Sequence, residues 1–334
     1  MSQQQSMTVA VAGSTGFVGR HVVSELARRG HRVRALVRDS EKAARAFAAV
    51  EPSDAVTRVV APSIGTASAQ ELVDGADACV NCIGIIREQD GQRFDALHVG
   101  AVGVLTGACA KLEGVTRFVQ ISALGVSPDG RAKYQRTKAE GERVVRRSGL
   151  PWTIFRPSLV LGAGGQMNEM LGDWARGRVP PYLFMPYFTR RADGHWTVIP
   201  GETVDPRVAP VLVEDLARAV ADSLERPETA NEVYHVCGSE VVVWPELLEA
   251  ARDATPGAKP SIRPAGIPAP AAHLAASVAG FVGMGGLLPF DAGMAAMAAE
   301  DSVAAMAKFE THFGFAPRSF RDAFAASPPS TANA

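Results

Sequence analysis

The sequence lacks what several functional classes require. Lysine and arginine number 34 against 35 aspartates and glutamates, and the formal net charge is −1. No basic run interrupts this balance. A protein that grips nucleic acid by neutralising phosphates needs a basic surplus, so no nucleic-acid partner is expected. Cysteine is scarce: Cys79, Cys82, Cys109 and Cys237 are all there is, and they form no disulfide framework. That suits a reducing compartment. Cys79 and Cys82 have redox-pair spacing but lie in an apolar run, 77–86, that reads as a buried strand. They are expected as reduced core thiols. No second ligand pair has zinc spacing, so no metal is expected. The opening Met1-Ser2-Gln3-Gln4-Gln5-Ser6 has no basic region, apolar core or arginine-rich amphipathic helix. It does not read as a signal or transit peptide, and the cytoplasm is the expected location. There is no internal repeat.

What is present suits a globular protein. Of 334 residues, 47% are hydrophobic and 21% charged, enough for a core without staples in one large domain or two smaller ones. Strand and helix patterns alternate through the first half. Strands are expected at 8–13, 32–37, 56–60, 76–83, 116–121 and 152–155. Helices are expected at 17–29, 40–50 with Ser40 as N-cap, 96–112 and 132–148. Alternation of this kind implies a parallel sheet covered on both faces. The expected fold is therefore α/β: a Rossmann-type doubly wound parallel sheet over residues 7–161, with a smaller C-terminal lobe over 162–325. A strand-then-helix stretch around 209–237 returns to the main domain. Residues 179–200 read as a long loop or irregular lobe. The last third, rich in Ala, Gly and Pro, reads as mostly helical.

The first motif is Gly13-Ser14-Thr15-Gly16-Phe17-Val18-Gly19, directly after a strand and opening a helix. Gly13 permits a sharp turn, Gly16 leaves backbone N–H groups open to a pyrophosphate, and Gly19 lets the helix pack against the sheet. The helix N-terminus then meets the anion with unpaired donors and partial positive charge. Strand, turn, amphipathic helix and second strand at these intervals define a dinucleotide site. The second strand ends Val37-Arg38-Asp39. A guanidinium there pairs with the 2′-phosphate of NADPH, whereas an acid accepts from the ribose hydroxyls of NAD. Arg38 falls nearer the strand end, so NADPH is favoured. Asp39, the rival by one residue, keeps NAD as the alternative.

The second motif is Ser122 at the end of the fifth strand, then Tyr134-Gln135-Arg136-Thr137-Lys138 on a helix. Tyr134 and Lys138, four apart, share a face. An ammonium near the phenol is expected to lower the tyrosine pKa from about 10, suiting proton transfer while hydride moves. Lys138 can also hold the nicotinamide ribose, and Ser122 can polarise a carbonyl oxygen.

These residues resemble the short-chain dehydrogenase/reductase superfamily, in its extended or atypical branch. A narrower resemblance rests on an ordered series. It runs Val80-Asn81-Cys82-Ile83-Gly84, His98-Val99, Ile121-Ser122-Ala123-Leu124-Gly125, residues 134–142 and Phe155-Arg156-Pro157-Ser158-Leu159-Val160-Leu161-Gly162. Pro210-Val211-Leu212-Val213-Glu214-Asp215-Leu216-Ala217 and Phe313-Gly314-Phe315-Ala316-Pro317 complete it. The series is similar to the nucleotide-binding accessory subunit nine of respiratory complex I and its bacterial relatives. This resemblance implies tightly held NADPH, with cofactor contacts extending to Ile83, Gly84, Pro157 and Ser158. It leaves turnover open, since members serve as structural subunits, or as reductases or assembly factors near quinone metabolism. Two departures stand out. His98 replaces an Asn that helps organise the proton relay in many relatives, and Ala61-Pro62-Ser63 lacks the Asp that often meets adenine.

Residues 264–290 carry no formal charge, yet Pro264, Pro268 and Pro270 and Gly280, Gly283, Gly285 and Gly286 interrupt them. A packed helix or helix pair is expected rather than a membrane span. A membrane-surface or partner-docking patch, strengthened by the aromatic segment 182–188, is the alternative. The functional reading is an NADPH-dependent oxidoreductase for an apolar or quinone-like substrate, with Ser122, Tyr134 and Lys138 as its relay. One alternative is an accessory or assembly subunit with fixed NADPH, bound to a membrane-associated complex and peripheral on the inner face of a membrane. The other is a sugar-nucleotide epimerase or dehydratase. The largely apolar 179–188 disfavours the last, which needs polar and basic side chains for a nucleoside diphosphate.

Overall fold

The computed structural model describes residues 6–329 apart from 90, 113, 282–289 and 327. The chain opens with β1 (Thr8–Ala12), α1 (Phe17–Arg28), β2 (Arg32–Val37), α2 (Ser40–Ala46), β3 (Val56–Val60), α3 (Thr66–Val73) and β4 (Ala78–Asn81). A π-helical segment, Asp95–Gly100, leads into α4 (Ala101–Cys109), followed by β5 (Arg117–Ile121), α5 (Lys133–Arg146) and β6 (Trp152–Pro157). Then come β7 (Val160–Leu161), α6 (Gln166–Arg176), β8 (Phe184–Arg191), β9 (Thr203–Val204), β10 (Arg207–Val208), β11 (Val211–Leu212), α7 (Val213–Glu225) and β12 (Glu232–Val236). The chain continues through β13 (Val242–Val243), α8 (Trp244–Ala254), β14 (Arg263–Pro268), α9 (Ala269–Phe281), α10 (Ala292–Ala298), α11 (Ala307–Phe313) and α12 (Phe320–Ala326).

The central sheet has seven strands in the order β12-β6-β5-β4-β1-β2-β3, every neighbouring pair parallel. This is the Rossmann-type sheet. Val9, Ala10, Val11 and Ala12 of β1 are all fully buried, because helices cover both faces and leave no side for polar alternation. Val22, Val23 and Leu26 of α1 and Leu216 and Val220 of α7 pack one face. Leu72 of α3 with Val102 and Leu105 of α4 pack the other. The strand order reverses between β1 and β4, so their carboxyl ends open the crevice where such sheets bind ligands. A third apolar cluster belongs to the smaller lobe, built on Leu171 and Trp174 of α6, Leu247 and Leu248 of α8 and Phe320 and Phe324 of α12.

Several expectations need correcting. The N-cap of α2 is Asp39, not Ser40: its carboxylate accepts from the Glu41 N–H at 2.8 Å and the Lys42 N–H at 3.0 Å. The α3 and α6 helices were not anticipated, and residues 179–200 contain a strand. In the lobe's three-stranded sheet, β8 lies between β14 and β9. Pro186 obscured it, since proline seldom sits within a sheet. It is tolerated because β9 reaches only Arg190 and Arg191, leaving β8 with one neighbour at Pro186. The stretch 264–290 begins as β14, an edge strand that accommodates Pro264 and Pro268, and continues as α9. The remainder of that expectation, including Gly283, Gly285 and Gly286, lies outside the described residues.

Candidate nucleotide-binding and proton-transfer site

The turn after β1 is built by close approach. Gly13 has φ +75°, and a Cβ there would come within 2.8 Å of the Cys82 carbonyl carbon and the Ile83 nitrogen. The glycine turn is therefore pressed against the end of β4. At Gly19 a Cβ would lie 2.1 Å from the Gly13 carbonyl oxygen, so only glycine lets α1 start this close to the turn. Gly16 is the N-cap of α1 and offers no side-chain cap, and no acidic residue occupies the first turn. The first N–H groups, at Phe17 and Val18, are left to an external acceptor, which is what a pyrophosphate needs. Ser14 is fully buried and its Oγ donates to the Leu36 carbonyl at 2.8 Å, locking the turn to β2. Thr15 is half-buried on the turn. The Phe17 ring and Arg20 hold the 162–165 turn against α1: Arg20 Nη2 donates to the Ala163 carbonyl at 2.6 Å.

Arg38 follows β2 and is exposed, with no hydrogen bond or ion pair among the described residues. Its neighbour Asp39 is committed to capping α2. The carboxylate that would mark an NAD site is thus occupied, while the guanidinium that suits a 2′-phosphate is open. These observations fit a nicotinamide dinucleotide.

At the other side of the crevice, Ile83 and Gly84 leave β4. Asn81 fixes their path, its Oδ1 accepting from the Ile83 N–H at 3.0 Å. Opposite stands α5. Lys138 Nζ donates to the Ile121 carbonyl at 3.1 Å and would lie 3.0 Å from a Cβ at Gly84. Burial brings its amine down to about 8. Tyr134 has the Lys138 ammonium 6.0 Å from its ring centroid. The expected lowering of the phenol pKa is not found. Burial pushes it up to about 12, because a charge at this range does not offset the loss of water around a phenolate.

His98 braces both walls. Its Nε2 accepts from the Ile85 N–H at 3.3 Å, and its Nδ1 pairs with Thr137 Oγ1 at 3.0 Å. Thr137 gives its own proton to the Lys133 carbonyl, so the network assigns the N–H to Nδ1. Burial and then the Lys138 charge depress the imidazole to about 3, keeping it neutral. Its ring meets Tyr134 edge-on at 5.3 Å and stacks with Phe94 at 5.1 Å. The departure from Asn therefore keeps a bridging role with different donors.

Ser122 makes no hydrogen bond to Tyr134 among the described residues. Its Oγ donates to Glu142 Oε1 at 2.6 Å, and the same buried carboxylate takes Arg146 at 2.9 Å and Arg156 at 2.7 and 2.8 Å. Pro157 ends β6, and the Ser158 hydroxyl meets Ser302 Oγ at 2.9 Å and its carbonyl at 2.8 Å. Sequence reasoning assigned no role to Glu142, although Lys138 and Glu142 are one helical turn apart. It missed the strap 300–302, whose partners are more than ninety residues away. Cys82 borders Lys138, and burial pushes its thiol up to about 12, which disfavours the thiolate.

Fold and site together give a Rossmann-type sheet whose glycine turn fits a nicotinamide dinucleotide. A family profile described as NAD(P)H-binding matches residues 13–171. The resemblance read from the motifs has counterparts among known proteins. The mitochondrial NADH dehydrogenase [ubiquinone] 1 alpha subcomplex subunit 9 of Dictyostelium discoideum is 24% identical over 76% of this chain. The match spans 65% of that subunit, less than two thirds of its length. Ceramide reductase of Caulobacter vibrioides is 28% identical, covering 76% of this chain and 72% of that one. The UDP-glucuronic acid 4-epimerase of Bacillus cereus, solved with UDP-glucuronic acid and NAD, aligns with a TM-score of 0.66. It is 14% identical over 96% of this chain and 97% of that one, and shows the fold alone. Among the described residues, no helix is long and apolar enough to cross a membrane.

Proposed function

We propose that this chain is an NADPH-dependent oxidoreductase of the atypical short-chain type, acting on an uncharged, apolar carbonyl or quinone-like substrate. The observation that carries it is the Tyr134–Lys138 pair on α5, set opposite Gly84 at the edge where the glycine turn opens. The first turn of α1 with Gly13–Gly19 would hold the pyrophosphate, and Arg38 the 2′-phosphate. Ile83, Gly84, Pro157 and Ser158 would border the nicotinamide end. The dinucleotide supplies hydride. Tyr134 supplies the proton: a phenol whose pKa burial raises stays protonated at neutral pH, as a donor to a developing alkoxide must. Lys138 orients the ribose through its ammonium, and neutral His98 holds the wall between them without adding a charge. Ser122 steadies Glu142 on α5.

The reductase of a lipophilic ceramide among the relatives supports the substrate class. A second reading, an accessory or assembly subunit holding NADPH permanently within a membrane-associated complex, is favoured by α9. Leu274, Val278 and Phe281 there are 53%, 54% and 93% exposed along one helical face. Exchange of labelled NADPH, measured beside reduction of long-chain ketones and quinones, separates the two. An enzyme exchanges its dinucleotide at least as fast as it turns over. Retained nucleotide with no reduction of any carbonyl, and protein released from membranes only by a carbonate wash, would sink the reductase reading.

A further inference from the structure

The strap 300–302 runs along the carboxyl edge of the sheet beside the proposed site. At one end, Glu300 Oε2 accepts from Gln135 Nε2 at 2.9 Å, next to Tyr134. At the other, Ser302 meets Ser158 at the end of β6. Between them, Asp301 holds two arginines of the smaller lobe. Its Oδ1 accepts from Arg190 Nη1 at 2.7 Å and from the Arg207 N–H at 2.9 Å. Its Oδ2 takes Arg207 Nε at 3.1 Å and Nη2 at 2.9 Å. Both oxygens are saturated. Burial alone would raise this carboxyl, but the two guanidiniums hold it down at about 2. Glu300 also faces Arg190 and, with it, Arg131. Arg131 in turn sits 4.8 Å over the Trp196 ring.

Guanidiniums at the rim of such a crevice are the groups that would clamp a diphosphate, through paired planar donors. Here they are committed within the chain. We infer that Asp301 is a specificity-determining residue: by occupying Arg190 and Arg207 it denies the site to nucleoside diphosphates and leaves it to uncharged substrates. This rests on the reading of the site under Proposed function and adds the residue that selects the substrate class. The same fold takes a nucleotide sugar in the epimerase above. In this chain an incoming diphosphate would have to displace a carboxylate held by four hydrogen-bond donors.

The test is a titration of NADPH-loaded protein with UDP, run on the wild type, Asp301→Asn and Asp301→Asn/Arg207→Gln. Asp301→Asn keeps the shape and removes the charge. The wild type should show no saturable UDP binding at millimolar concentration. Asp301→Asn should bind UDP about tenfold more tightly or better, through charge-assisted bonds that high salt weakens. The added Arg207→Gln should abolish that gain. If Asp301→Asn does not fold, Asp301→Ser, which keeps an acceptor beside the Arg207 N–H, replaces it. Micromolar UDP binding by the wild type, or a folded Asp301 variant that gains nothing, overturns the inference. The UDP arm reads Asp301 whether or not NADPH is held, and absence of NADPH binding counts against the proposed function instead.

Discussion

Replacing Gly19 by alanine adds one methyl group, and its cost can be worked from the geometry. The new Cβ would sit 2.1 Å from the Gly13 carbonyl oxygen, 2.8 Å from its carbon and 3.0 Å from Ser14 Cα. All three are backbone atoms, so no side chain can swing aside. Relief requires α1 to move off the turn by roughly 1 Å, which unseats Val22, Val23 and Leu26, all fully buried. Overpacking of this kind costs about 1–3 kcal/mol, and a backbone clash belongs at the top of that range. For a chain this long, about 3 kcal/mol lowers Tm by ~4 °C. The same shift moves the α1 N–H donors out of range of a pyrophosphate, so NADPH affinity should fall about tenfold or more. Gly107→Ala on α4 is the control. Nothing lies within 4 Å of its Cβ, and alanine there should stabilise the helix by about 0.5–1 kcal/mol. Calorimetry and NADPH titration on both variants give the answer. A Gly19→Ala protein with unchanged Tm and unchanged nucleotide affinity would refute the reasoning.

Four further outcomes are expected. Arg38→Ala should erase most of a preference for NADPH over NADH, about a tenfold change for a charge-assisted contact at an exposed position; equal affinities in the unmodified protein would remove the assignment. Tyr134→Phe should leave NADPH binding intact while abolishing carbonyl reduction, and Lys138→Ala should damage both; reduction at an unchanged rate in Tyr134→Phe would make Tyr134 structural. Ser122→Ala, which removes a buried hydrogen bond to Glu142, should destabilise by about 1 kcal/mol and slow turnover far less than Tyr134→Phe; equal losses of kcat would restore Ser122 to the relay. His98 titrates near 3 in the folded chain and at 6.5 in its ordinary state, so the unfolded chain binds the extra proton between these values. Its contribution is present above pH 6.5 and is lost as pH falls toward 3; urea melts across that window should show a shallower loss in His98→Gln than in the wild type.

By itself the sequence determined the backbone of the nucleotide site. Gly13, Gly16 and Gly19 announce a phosphate turn because the requirement is local: a left-handed turn, an open helix start and a close helix-to-strand approach all fall within seven consecutive residues. The alternation of buried strands and amphipathic helices through β6 is legible for the same reason, since period and chain order are properties of neighbours. Tyr134 and Lys138 could be placed on one face from helical spacing alone. Arg38 and Asp39 could be named, but their division of labour could not. That depended on which side chain reached the Glu41 and Lys42 N–H groups, and the fold gave that task to Asp39. The sheet of the smaller lobe was hidden because β8 and β14 pair residues about eighty positions apart and carry prolines that local rules count against strands. The direction of the Tyr134 shift was a tertiary matter too: proximity to an ammonium is written in the spacing, whereas burial is decided by everything packed around it. The diversion of Ser122 to Glu142 and the closure of Asp301 over Arg190 and Arg207 belong to the same class. Each joins residues from separate elements, and only the folded chain sets which charge meets which.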